Sequence, residues 1–209
     1  MNPIWTEIAA KAGVTLSPEQ LEKIDQYLAL LIEKSKVLNL TRITDLADAE
    51  IKHVADALTL LEHIPQDTRN IGDVGTGGGI PGVILAIARP DLTVTLIDST
   101  RKKIDAVTEM CAAIGLTNVR MKNERMESLN EKYDVVTARG VVNLNQLLIW
   151  CRPLMKRKTI LLALKGPRIE DEIAELNPQN RRQWKIALHD VEIEGLQGHR
   201  ICEAQIKKD

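Results

Sequence analysis

Phenylalanine is missing from this 209-residue chain, and only three tryptophans and two tyrosines are present. A core must therefore be built from Leu, Ile, Val and Ala. Cysteine is scarce: Cys111, Cys151 and Cys202 are widely spaced, and no Cys-x-x-Cys or Cys/His metal spacing occurs. So sparse and odd a set fits a reducing cytosol, and a cytoplasmic protein with no bound metal is expected. Excess charge of either sign is also missing. A formal net charge of −1 excludes a protein that coats nucleic acid through bulk charge, but leaves room for a local basic patch. No apolar run approaches the roughly 20 residues of a membrane span, and "MNPIWTEIAA" lacks the basic and apolar regions of a secretory signal. A chain of this size buries roughly 70% of its unfolded surface, so its stability needs neither disulfide nor metal.

Glycine is absent between Val14 and Ile71, which suits helices. "SPEQLEKIDQYLALLIEKSKVLNL" opens with Ser17 as cap and Pro18 at the first helical position. Leu21, Ile24, Leu28, Leu31 and Ile32 then recur at helical spacing. "DLADAEIKHVADALTLLEHI" reads as a second amphipathic helix ended by Pro65. From residue 70 the texture changes to short β-rich runs alternating with helical ones. Strands are expected near 70–74, 93–97, 118–122, 133–137 and 158–164, with helices near 80–89, 100–114, 143–154 and 168–176. The tail reads as two further strands joined by "EGLQGH". This alternation predicts an α/β fold, a doubly wound, mostly parallel seven-stranded Rossmann-like sheet. We divide the chain into an N-terminal helical region, 1–68, and a Rossmann-like domain, 69–209.

The segment "IGDVGTGGGIPG" fits two cofactors. Gly77, Gly79 and Gly82 spell the dinucleotide pattern G-x-G-x-x-G. Asp73, Gly75, Gly77 and Gly79 spell D-x-G-x-G-x-G, a pattern of S-adenosylmethionine-dependent methyltransferases. Both readings use glycine for a tight strand-to-helix turn. Asp98, about 20 residues on, ends the run "TVTLID", where a carboxylate can hold both hydroxyls of a ribose. Asp73 favours the methyl donor, because an unpaired carboxylate in a buried strand is costly without a role. The open glycine loop also suits a ligand without a pyrophosphate.

The methyl acceptor is narrowed by elimination. Carbon-5 methylation of pyrimidines needs a cysteine nucleophile, commonly after proline, and none stands in that context. Methylation of exocyclic amines commonly uses an Asn/Asp-Pro-Pro-aromatic tetrapeptide after the fourth strand, where this chain has "VVTARGVVN". What remains is an acceptor that needs little activation, or a small molecule. A non-catalytic cofactor-sensing or RNA-binding protein and a nicotinamide oxidoreductase stay open on the residues alone.

Almost end to end, the chain resembles the bacterial small-subunit ribosomal RNA guanine-N7 methyltransferases, the glucose-inhibited division protein B family. The resemblance rests on "LNLTRI", "KHVADAL", "IGDVGTGGGIPGVILAI", "LIDSTRKK", "NERMESL", "VVTARGVVNL" and "ALKG" in that order. Lys52 stands where the family often has Arg, Ala57 where it has Ser, and Gly140-Val141 where it has Ala and often an aromatic. The resemblance implies a class I methyltransferase that modifies guanine N7 in 16S rRNA, acting as a monomer on the small subunit or an assembly intermediate. It implies that Gly75 and Ile80 touch S-adenosylmethionine, that Asp98 holds its ribose, that Met126 and Glu127 line its adenine and that Arg139 approaches its methionine end. Arg139 and Lys165, at the C-terminal ends of expected strands, are the candidate catalytic residues. Lys102, Lys103, His53 and Lys165 are the candidate RNA contacts.

Overall fold

The computed structural model describes residues 2–207. Seven strands form one sheet in the order β3-β2-β1-β4-β5-β7-β6. They are β1 (Asn70–Val74), β2 (Thr93–Ile97), β3 (Val119–Lys122), β4 (Tyr133–Arg139), β5 (Met155–Lys165), β6 (Trp184–Asp190) and β7 (Arg200–Ile206). The first five pair in parallel, and β7 and β6 close the sheet antiparallel. The two tail strands read from sequence are thus confirmed. β7 inserts between β5 and β6, so the hairpin folds back onto the parallel sheet. Chain order reverses at β1, which lies between β2 and β4. That switch point is where open α/β sheets bind ligands, beyond the strands' carboxyl ends.

The helices are α1 (Pro3–Lys11), α2 (Pro18–Leu38), α3 (Leu46–Ala49), α4 (Asp56–Leu58), α5 (Gly82–Ala88), α6 (Arg101–Ala113), α7 (Leu144–Cys151), α8 (Ile169–Ala174) and α9 (Pro178–Gln183). α9 went unread in the sequence, although Asn177 followed by Pro178 is a capping signal and the Asn177 side chain does accept from Asn180 N–H. Ser17 and Gln20 form a reciprocal capping box at the start of α2. Gln20 also donates to the carbonyls of Ile87 and Ala88, tying α2 to the end of α5. Pro81 stands one position before α5 rather than inside it.

One correction concerns the second N-terminal helix. It is not uniformly α-helical: α3 runs into a π turn at Glu50–Ala55, then α4, then a 3-10 turn at Thr59–His63. In the π turn Asp56 N–H bonds to the carbonyls of Ile51 and His53. The Lys52 carbonyl instead accepts from Arg139. Periodicity could not show this, because the extra residue is absorbed within one turn.

The sheet separates two apolar layers. On one face α1, α2, the composite helical segment, α5 and α6 pack in a single cluster that runs from Trp5 through Tyr27 and Leu58 to Leu96 and Ile201. On the other, α7 and α8 cover Val74, Val136, Leu161 and Ala204. The N-terminal helices therefore share a core with β2, each of their fully buried Leu and Ile side chains contributing about 1.5–3 kcal/mol. Among the described residues no helix is long and apolar enough to cross a membrane.

Candidate functional site

The glycine loop begins where β1 ends, and Asp73 lies beneath it with no solvent exposure. Its Oδ2 accepts from Thr76 Oγ1 at 2.5 Å and Gly82 N–H at 3.2 Å, and its Oδ1 from Thr137 Oγ1 at 2.8 Å. Burial raises this carboxyl to about 6, against the pull of its three hydrogen bonds and of Arg139. Asp73 thus pins both ends of the loop rather than facing a cavity. Gly82 admits the approach: a Cβ there would lie 2.4 Å from Leu96 and 2.7 Å from Asp73 Oδ2. From outside, the buried Tyr27 hydroxyl donates to the Gly78 carbonyl at 2.8 Å. Helix α2 is therefore the loop's outer brace.

Beyond the loop lies a cavity of about 320 Å³ lined by Gly75, Ile97, Asp98, Ser99, Thr100, Lys103, Met126, Glu127, Gly140, Val141, Val142 and Trp150, among others. Gly75 has φ +64°, and a Cβ there would strike Val141 at 2.6 Å. The Asp98 carboxylate accepts from Gly77 N–H at 3.0 Å and Thr100 N–H at 2.8 Å. A carboxylate has about four acceptor positions, so two remain for a vicinal diol. Met126, Val141 and Trp150 offer apolar surface. These residues fit a nucleoside: a diol acceptor at a strand's end, apolar surface beside it and a backbone loop free of side chains.

At Gly140 this cavity meets a wider cleft of about 790 Å³. It is lined by Asn39 to Ile43, Lys52, His53, Asp56, Lys103, Arg139, Gly140, Leu164, Lys165, Gly166 and His199. Arg139, at the end of β4, donates to the Lys52 carbonyl at 2.7 Å and to His53 Nδ1 at 3.0 Å. A guanidinium can only donate, so His53 carries its proton on Nε2, which donates to Thr41 Oγ1 at 2.8 Å. Burial and the Arg139 charge push the imidazole down to about 3. His53 was expected to contact RNA. It is 2% exposed with both nitrogens engaged, so it instead orients Arg139. Lys165 donates to the Val142 carbonyl at 2.9 Å and to Glu172 at 2.7 Å. Asp56 Oδ1 is buried with no hydrogen bond and lies 3.5 Å from His199 Nδ1; this pairing raises the His199 imidazole.

The structure thus brings Gly75, Asp98, Met126 and Glu127 to one cavity and Lys103, Arg139 and Lys165 to the adjoining cleft. It sets Asp73, Gly79 and Ile80 elsewhere: Gly79 lies against Tyr27 and the Ile80 side chain is in the core. Gly77 acts through its N–H on Asp98. Lys102 is exposed on α6 outside both hollows. Sequence reading missed Tyr27, Trp150 and His199. Tyr27 sits in an ordinary apolar stripe, and His199 follows a turn in the tail, so neither carried a local signal.

The family described as rRNA small subunit methyltransferase G (GidB) matches residues 20–198. The chain belongs to this family. Among curated members, the ribosomal RNA small subunit methyltransferase G of Sorangium cellulosum is 42% identical over 179 residues, 82% of this chain and 74% of that protein. The member from Herminiimonas arsenicoxydans is 34% identical over 207 residues, covering 96% of this chain and 93% of its own. Solved structures with the same fold include the magnesium protoporphyrin IX methyltransferase of Synechocystis with bound SAM, at TM-score 0.56 and 16% identity over 78% of this chain and 81% of that one. Fibrillarin in complex with Nop5p superposes at TM-score 0.56 and 14% identity, over 74% and 80%. At these identities the likeness is one of fold.

Proposed function

We propose that the chain is an S-adenosylmethionine-dependent methyltransferase that modifies N7 of a guanine in 16S rRNA, working in the cytoplasm on the small subunit or an assembly intermediate. The observation that carries this reading is the junction at Gly140. There a nucleoside-sized cavity ending in Asp98 opens into a cleft furnished with cations and a neutral imidazole. S-adenosylmethionine, when bound, supplies an activated methyl group.

Guanine N7 has an in-plane lone pair and no proton, so no base is needed to create the nucleophile. The work left to the protein is orientation and proximity. The cleft fits this: His53 is held neutral and engaged, and all three cysteines are buried, their thiols raised to about 12. A cysteine-dependent acceptor chemistry has no residue to use. In our reading Asp98 holds the ribose hydroxyls, Met126 and Glu127 line the adenine, and Gly75 leaves room beside Val141. Arg139, held by the Lys52 carbonyl and His53 at the end of β4, attracts the carboxylate of the methionine end. Lys165 and Lys103 face the substrate, at a phosphate or at guanine O6. Neither pairs with N7 itself, since a bidentate contact to N7 and O6 would occupy the reacting lone pair. N7 lies in the deep, narrow groove of A-form RNA, so the target base is unpaired or extruded.

The test is transfer of labelled methyl to small subunits and to naked 16S rRNA from a strain lacking the gene. Label at guanine N7, lost in Asp98→Ala and Arg139→Ala, is the expected result. Cofactor binding with no label on any RNA would sink this function in favour of a small-molecule acceptor.

A further inference from the structure

Away from the cleft, three ligand-type side chains converge where the N-terminal layer meets the antiparallel edge of the sheet. His63 closes the 3-10 turn before β1, His189 lies on β6 and Glu203 on β7. One ligand atom from each lies within 4.8 Å of the other two. His189 Nε2 is 3.0 Å from Glu203 Oε2, and the two imidazole centroids are 4.3 Å apart. The ladder explains part of the arrangement. His189 pairs with Ile201 and Ala187 with Glu203, so His189 and Glu203 are diagonal neighbours on one face. None of the three residues lines the cofactor cavity or the cleft.

We propose that His63, His189 and Glu203 form a binding site for a divalent transition-metal ion, zinc in the first instance, with water as fourth ligand. Two imidazoles and a carboxylate are a donor set that zinc accepts in tetrahedral geometry. Tetrahedral zinc with bonds near 2.0–2.1 Å sets ligand atoms about 3.4 Å apart. The His189–Glu203 pair is already at that scale, and His63 closes the set by a small side-chain rotation. All three are half-buried, shielded but reachable. The ion would tie the end of the helical layer to the β6–β7 edge, a structural tie with no part in methyl transfer. Its ligands stand at 63, 189 and 203, so no short spacing could reveal it.

The experiment uses the untagged full-length protein, stripped with chelator and titrated with zinc chloride near neutral pH by calorimetry. One zinc per chain is expected, with Tm raised by about 5–10 °C at free zinc 100-fold above Kd. His63→Ala and His189→Ala should each weaken binding by at least about tenfold, and Glu203→Gln, which preserves shape, should also weaken it. Zinc absorption-edge spectra should show two imidazoles. His199→Ala should leave the stoichiometry unchanged, and magnesium, which prefers oxygen shells, should not substitute. No binding at micromolar zinc overturns the proposal. So does binding that survives in a folded His63→Ala/His189→Ala double variant.

Discussion

Replacing Asp73 separates two roles of one buried carboxylate. Its folded-state value of about 6 lies above the 3.8 of an unperturbed aspartate. A raised value means the native state holds its proton longer than the unfolded chain does. The stabilisation from that proton is full below pH 3.8 and is lost as pH rises through about 6. At about 1.4 kcal/mol per unit, the ionised group costs the fold about 3 kcal/mol above pH 6. Asp73→Asn removes this titration and still fills the space. Its oxygen can accept from Thr76 and Gly82, and its amide can donate to a rotated Thr137 hydroxyl. Relative to wild type, the variant should gain about 2.4 kcal/mol between pH 4 and pH 7. Asp73→Ala removes the acceptor for three buried donors at about 1–3 kcal/mol each. It should fall about 4 kcal/mol below Asp73→Asn at every pH, or about 8–16 °C in Tm. Urea unfolding of the three proteins at pH 4, 5, 6 and 7 measures both differences. An unchanged gap between wild type and Asp73→Asn across this range would refute the titration. Equal stability of the Asn and Ala variants would refute the pinning role.

His53 gives a profile of opposite sign. Held at about 3, below the usual 6.5, it costs stability as pH falls below 6.5, about 2 kcal/mol by pH 5. Denaturation of His53→Gln at pH 7 and pH 5 should show that loss abolished. Tyr27→Phe leaves the Gly78 carbonyl without its partner and should cost about 1–3 kcal/mol in chemical denaturation, with weaker cofactor binding by calorimetry. Gly75→Ala places a methyl 2.6 Å from Val141 at φ +64°; S-adenosylmethionine affinity should drop more than about tenfold, for a clash worth about 1.4 kcal/mol or more, while Gly13→Ala, in open space, should bind normally. Lys103→Ala and Lys165→Ala should each weaken RNA binding across sequences and lower the salt slope by about one, read by filter binding at several salt concentrations.

Much of the fold was legible because its signals are local. Alternating β-rich runs gave β1 to β5, Ser17-Pro18 gave the start of α2, and the glycine segment and Asp98 were readable as neighbours at the carboxyl ends of β1 and β2. The parts that were not legible depend on distant partners. The inward turn of His53 requires Arg139, 86 residues away. The engagement of Lys165 requires Glu172. Asp73 reads as a cofactor acid in sequence, whereas its surroundings of Thr76, Thr137 and Gly82 make it a loop pin. The π turn that releases the Lys52 carbonyl has no compositional signature at all.

The central place of β1 also orders events during synthesis. β1 pairs with β2, and on its other side with β4, from which it is separated by more than two strand-helix units of chain. Until residue 139 has left the ribosome, one edge of β1 is unpaired and Asp73 lacks Thr137. At about 5–20 residues per second, the nascent chain spends several seconds with its glycine loop made but without the Thr137 bond beneath it. The cofactor cavity also needs Trp150, so it closes only after most of the polypeptide has emerged. Helix α2, made before the loop, is a brace already available to it. A nascent chain of this topology therefore completes that cavity late, after the long-range pairing of β1 with β4 has become possible.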